Sequence, residues 1–289
     1  REVRLAGGPS RANRDFHLDV HLDEGAETRA ELAVAGERGN RHGMLTLLPP
    51  SGGAPANRRA PLARDVLFLI DTSGSMGGES ISQAKAGLAK CLDLLQPHDH
   101  FTIVRFADDF SSFAPELRPA SDRRIAAARS YVAGLQAGGG TEMQKALRHL
   151  LSIPGSGDGM RLVVFLTDGC VGNEESLMQL LDARLGSARM FTFGIGSAPN
   201  EFLMRAMAGA GRGQTRFIRS HEDVGVVMSE FFRTLSAPVM TDIELEWLDA
   251  EGRILQGVRY NPMPPPDVFR ERPVRVLAHL GEHEVAAVR

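Results

Sequence analysis

Residues 66–76 read Val-Leu-Phe-Leu-Ile-Asp-Thr-Ser-Gly-Ser-Met. The apolar run from Val66 to Ile70 has the length of a strand buried on both faces and is too short for an ordinary helix. It stops at Asp71, and Ser73 and Ser75 follow at alternate positions around Gly74. A carboxylate and two hydroxyls thus leave the end of a buried strand on one tight turn. All three offer oxygen, the donor that suits a hard cation such as magnesium.

Outward from this stretch, short apolar runs alternate with amphipathic segments from Asp65 to about Leu235. Strands are predicted at 66–70, 101–106, 162–167, 190–195 and 214–219. Between them, Ile81, Ala84, Leu88, Cys91, Leu92 and Leu95 recur at helical spacing, as do Ile125, Ala128, Val132 and Leu135, and Leu177, Leu180, Leu181 and Leu185. Phe202, Leu203 and Met207, then Val224, Val227 and Phe231, mark two further helices. Such alternation builds a mostly parallel sheet covered by helices on both faces. The flanks read as β: Phe16 to Leu22 alternates with polar residues, and Leu32, Val34 and Met44–Leu48 follow. Beyond Pro238 come Val239–Trp247, Ile254–Tyr260 and Val274–Leu280. The organisation predicted is an α/β domain over 63–236 inserted into a discontinuous β-sandwich formed by 1–62 and 237–289.

The spacing Asp-x-Ser-x-Ser resembles the metal-ion-dependent adhesion site of von Willebrand factor A domains. That family's site takes a Thr from a second loop and an Asp from a third. Gly138-Gly139-Gly140-Thr141 and Phe165-Leu166-Thr167-Asp168-Gly169 match them in order, spacing and strand context. The resemblance implies a Rossmann-like sheet with Asp71, Ser73, Ser75, Thr141 and Asp168 around Mg2+, for which Mn2+ or Ca2+ could substitute. It also implies a protein partner that completes the coordination with an Asp or Glu. The flank segments Arg14-Asp15-Phe16-His17-Leu18, Leu47-Leu48-Pro49-Pro50 and Pro266-Asp267-Val268-Phe269 are similar to those of bacterial relatives of the inter-alpha-trypsin inhibitor heavy chains. That group normally carries a further N-terminal domain, so a trimmed or incomplete chain is expected. Its last A-domain helix, here His221–Leu235, is a candidate for movement coupled to the metal.

In an open α/β sheet, ligands collect beyond the carboxyl ends of the strands, where Asp71 and Asp168 both fall. The serines are expected to touch the ion, with the carboxylates partly fixing waters and hydroxyls. Neutral hydroxyls hold a cation without neutralising it, which leaves it attractive to one more anionic oxygen. Each piece also has a plainer reading. Asp71 and its serines could cap a helix near Ser80, Thr141 could cap a helix over Glu142–Leu151, and Asp168-Gly169 could be a turn. Glu142 reads as a first-turn helix acid, or as a competitor for the incoming carboxylate.

The net charge of −3 over 289 residues gives no case for nucleic acid. No apolar run reaches the roughly 18–20 residues of a spanning helix. The chain begins without Met, so a signal peptide and any anchor are expected to be absent from it, and export to the periplasm or cell surface is expected. Cys91 and Cys170 read as buried free thiols. His98 and His100 around Asp99, and His17 with His21, lack an obvious third metal ligand and read as solvated. Trp247 and Tyr260 read as core or rim. A Mg2+-dependent hydrolase of the haloacid-dehalogenase type also places Asp at a strand end, yet needs a second Asp where Ser73 stands. The absence of Gly-x-x-x-x-Gly-Lys-[Ser/Thr] excludes a P-loop. The sequence therefore points to a metal-dependent binding module rather than an enzyme, with a purely structural metal as the alternative.

Overall fold

The computed structural model describes residues 28–50, 63–157, 159–168, 174–196, 199–219, 222–235, 238–269 and 273–289. The strand expected at Phe16–Leu22, with His17 and His21, and Cys170 lie outside the described residues. The first flank contributes β1 (Arg29–Ala35) and β2 (Arg41–Leu48). The central unit runs β3 (Arg64–Asp71), a 3-10 turn at Gly74–Met76, α1 (Glu79–Asp93), β4 (His100–Phe106), β5 (Phe110–Ser112), β6 (Arg118–Pro119), α2 (Asp122–Gly134) and α3 (Met143–Ser152). It continues through β7 (Met160–Thr167), α4 (Glu174–Arg184), β8 (Arg189–Ile195), α5 (Glu201–Ala210), β9 (Thr215–Ile218) and α6 (Val224–Leu235). The second flank holds β10 (Pro238–Met240), β11 (Trp247–Leu248), β12 (Arg259–Asn261), β13 (Val268–Phe269), β14 (Val274–Gly281) and β15 (Ala287–Val288).

The main sheet has the order β5-β4-β3-β7-β8-β9, with β6 also on β4. Pairings among β3, β4, β7, β8 and β9 are parallel. Every residue of β3 is buried, because alternate side chains feed two separate cores. Val66, Phe68 and Ile70 pack with Leu88, Leu92, Met228 and Phe232 on one face. Leu67 and Leu69 pack with Leu147, Leu150 and Leu181 on the other. Each such side chain contributes about 1.5–3 kcal/mol when fully buried, and the strand carries only apolar residues from Val66 to Ile70, between Asp65 and Asp71. The mostly parallel sheet with helices on both faces is as expected. The antiparallel edge made by β5 and β6 is not: both segments are too short to show a period. Phe202, expected on the inner face of its helix, is 76% exposed, while Leu203, Met204 and Met207 face inward.

The two flanks meet. β2 pairs antiparallel with β14, Leu47 opposite Val274 and Arg41 opposite Gly281, within a four-stranded sheet of order β1-β2-β14-β12. Leu45, Leu47, Trp247, Val276 and Leu280 share its core. Trp247 is core as expected, and Tyr260 lies beside it with ring centroids 6.3 Å apart. The second flank is also fastened to the α/β unit. Phe269 of β13 meets Phe191 of β8 edge-on at 5.9 Å. Arg189 donates from Nε to Asp267 Oδ2 at 2.6 Å and from Nη2 to Asp242 Oδ1 at 3.0 Å.

Candidate metal centre

Asp71 is the last residue of β3 and has no exposed surface. Its Oδ1 accepts the Ser73 backbone N–H at 2.8 Å, and its Oδ2 accepts the Thr167 hydroxyl at 2.7 Å. Burial pushes its pKa above the ordinary carboxylate value; bonds from Ser73 and Thr167 oppose this, and the Asp168 charge adds to it. No ion pair to Asp71 exists among the described residues. Ionising a carboxyl buried this fully is costly unless a cation joins it. Ser73 and Ser75 share a hydrogen bond between hydroxyl oxygens 3.0 Å apart, Ser73 buried and Ser75 exposed at the mouth. Neighbouring oxygens on a magnesium octahedron, with metal–oxygen distances of about 2.0–2.1 Å, lie about 2.9 Å apart. The donor set therefore fits a small hard cation.

A second loop is stitched to the first by its backbone. The Gly138 N–H donates to the Thr72 carbonyl and the Gly74 N–H to the Gly139 carbonyl, both at 2.9 Å. Thr72 donates its own N–H and hydroxyl to the Phe106 carbonyl at the end of β4, each at 2.8 Å. The Glu142 N–H reaches the Ala107 carbonyl at 2.7 Å. These bonds hold the Gly138–Gly139 backbone, just before Thr141, against the Asp-x-Ser-x-Ser turn. Its side chain is half-buried and has no hydrogen-bond partner among the described residues. Thr141 does not cap α3: Glu142 holds the cap position and makes no side-chain capping bond. Nor does Asp71 cap α1, whose cap position is Gly78. Glu142 is exposed and pairs with Lys145 at 3.1 Å.

Asp168 follows directly on β7, which lies beside β3, and is half-buried. The sheet order thus draws three separated loops to one spot. Sequence reasoning missed Thr167, which steadies Asp71, and Thr72, which ties the turn to β4. The Leu-Thr-Asp and Asp-Thr-Ser tripeptides contain them, but nothing in the sequence shows what their hydroxyls reach.

Other candidates resolve differently. Asp99 is fully buried and taken by Arg64, whose Nε donates to Oδ1 at 3.0 Å and Nη2 to Oδ2 at 2.5 Å. His98 is exposed as expected, but His100 is half-buried and its buried Nδ1 has no hydrogen-bond partner among the described residues. Among the described residues no group of three or more His, Cys, Asp or Glu is poised to hold a metal; a site here depends on hydroxyls. Cys91 is free and buried, and burial pushes its thiol pKa far up. No helix among the described residues is long and apolar enough to cross a membrane.

A mostly parallel sheet clothed in helices, with oxygen donors beyond the carboxyl ends of its middle strands, defines an open-sheet α/β domain. The pattern of the von Willebrand factor type A domain matches residues 64–217, more than half of the chain, and the chain belongs to that family. It is 32% identical over 202 residues to inter-alpha-trypsin inhibitor heavy chain H4 of Bos taurus, covering 64% of this chain and 22% of that protein. The Homo sapiens heavy chain H4 is 30% identical over 199 residues, with 64% and 21% covered. The chain thus spans about a fifth of the length of these relatives. Among solved structures, a von Willebrand factor type A protein from Catenulispora acidiphila superposes with a TM-score of 0.66 at 19% identity, over 88% of this chain and 65% of that one. The pilus adhesin SpaC from Lactobacillus rhamnosus GG, in its open conformation, gives 0.52 at 11% identity over 91% and 42%. At these identities the likeness is one of fold.

Proposed function

We propose that this chain is a divalent-metal-dependent protein-binding module. Asp71, Ser73, Ser75, Thr141 and Asp168 would hold Mg2+, and a partner's Asp or Glu would supply one more oxygen. The observation that carries this reading is the hydroxyl pair of Ser73 and Ser75 beside the buried carboxyl of Asp71, which has no ion pair among the described residues. Hydroxyl ligands leave the ion electron-poor, so what it supplies is affinity for an anionic oxygen at the surface. The reading is of a binding site without turnover: Ser73 occupies the position where a phosphatase of this geometry needs a second acid. We read the protein as exported, to the periplasm or the cell surface. The flanks, 1–62 and 237–289, are read as one discontinuous β domain around the 63–236 unit.

The test is a thermal-shift titration with Mg2+, Mn2+ and EDTA on the wild type and on Asp71→Ala. Binding confined to the native state adds about 1.4 kcal/mol at tenfold saturation, or a few degrees in Tm. A shift in the wild type that is lost in Asp71→Ala is expected; its absence at millimolar metal overturns the reading. A metal with a purely structural role would give the same shift, but EDTA would then leave the affinity for an acidic protein ligand unchanged.

A further inference from the structure

We propose that Asp108 is the positioning residue for the Thr141 loop, and so sets the metal affinity without touching the ion; this rests on the metal-binding reading above. Thr141 follows three glycines, the most flexible backbone a chain can offer, and holding such a segment in one conformation is entropically costly. The loop is pinned at Gly138, Gly139 and Glu142 by backbone bonds that side-chain replacement leaves in place. Between Gly139 and Thr141 the pin is a side chain: Asp108 Oδ1 accepts the Gly140 N–H at 2.6 Å. The same carboxylate fills the space around both glycines. A Cβ on Gly140 would lie 2.7 Å from Asp108 Oδ1, and one on Gly139, whose φ is +80°, would collide with Oδ2. Asp108 is exposed and sits just beyond the end of β4. Its distance from the core makes a role in folding itself small, and its contact with the residue before Thr141 makes a role in ligand placement direct.

The test measures Mg2+ and Mn2+ affinity by calorimetry for the wild type, Asp108→Ala, Asp108→Asn and Asp109→Asn, with Tm in EDTA recorded for each. Asparagine keeps the Oδ1 acceptor and removes the charge, and Asp109→Asn removes an equal charge one residue away. Loss of a hydrogen bond to a charged acceptor predicts affinity weaker by about tenfold or more in Asp108→Ala, with both asparagine variants within about threefold of the wild type. The metal-free Tm values should stay together. Unchanged affinity in Asp108→Ala overturns the proposal, and so does an Asp108→Asn variant as weak as Asp108→Ala, which would make charge rather than the bond responsible. If Asp108→Ala does not fold, Asp108→Ser, whose hydroxyl falls short of Gly140, takes its place. A wild type that takes up no metal removes the metal reading and this inference together, whereas uptake unaffected by Asp108 removes this inference alone.

Discussion

Asp71 couples the site to pH. Its folded pKa is raised above the ordinary value of 3.8, chiefly by burial. The metal-free native state therefore holds this proton more tightly than the unfolded chain. Stability from that difference is fully present below the ordinary carboxylate value and is lost as pH rises through the raised one. In the proposed site Asp71 would bind metal in its ionised form, so acidification through the same range should weaken Mg2+ uptake. Denaturant midpoints in EDTA should fall with rising pH across this window, and Asp71→Asn should remove that slope; a slope unchanged in the variant would assign it to another group. At this scale the sequence is informative where ligands are close neighbours. Asp71, Ser73 and Ser75 declare themselves on one turn. Thr167 and Asp108 do not, because their partners lie 96 and 32 residues away and meet only through the sheet.

Between elements, the seam of α1 and α6 is closely packed at Gly87. Gly87 of α1 faces Met228 and Val224: an added Cβ would overlap the Met228 sulfur and lie 2.8 Å from Val224 Cγ1. Helix propensity alone predicts that Gly87→Ala stabilises by about 1 kcal/mol. The crowding predicts the opposite, a loss of about 1–3 kcal/mol by chemical denaturation, as for other overpacked cores. A stabilised variant would mean that α6 yields easily. Such seams are invisible in sequence, where Gly87 looks like a weak point in a helix. The strands of the central sheet were legible because burial on both faces makes them continuous apolar runs. β5, β6 and β13 were not, since two or three residues carry no period and their pairing is decided by neighbours already in place.

For the molecule as a whole, the joint between the α/β unit and the second flank turns on a buried ion pair. Burial alone would weaken the hold of Arg189 on its proton, but Asp267 and Asp242 more than offset it and raise its pKa. Asp267→Ala leaves that guanidinium buried without its main partner and should cost about 3–5 kcal/mol in thermal or urea unfolding. Asp242, 64% exposed, should cost under about 1 kcal/mol when replaced by Ala. Equal effects would show that the joint is not the buried pair. The sequence suggested β-rich flanks on either side of an α/β unit, but it did not show which strands would pair. β1 and β14 both run antiparallel to β2, and so parallel to each other. Arg29 stands at the Leu48 end of this ribbon and Gly281 at the Arg41 end. Tension drawing Arg29 and Gly281 apart would slide the outer strands in opposite senses along β2, straining the ladder bonds together instead of peeling them in turn. The α/β unit, spliced between β2 and β14, lies off that line of force, so a pull between those two points would be borne by the flank sheet while the loops around Asp71 stay slack.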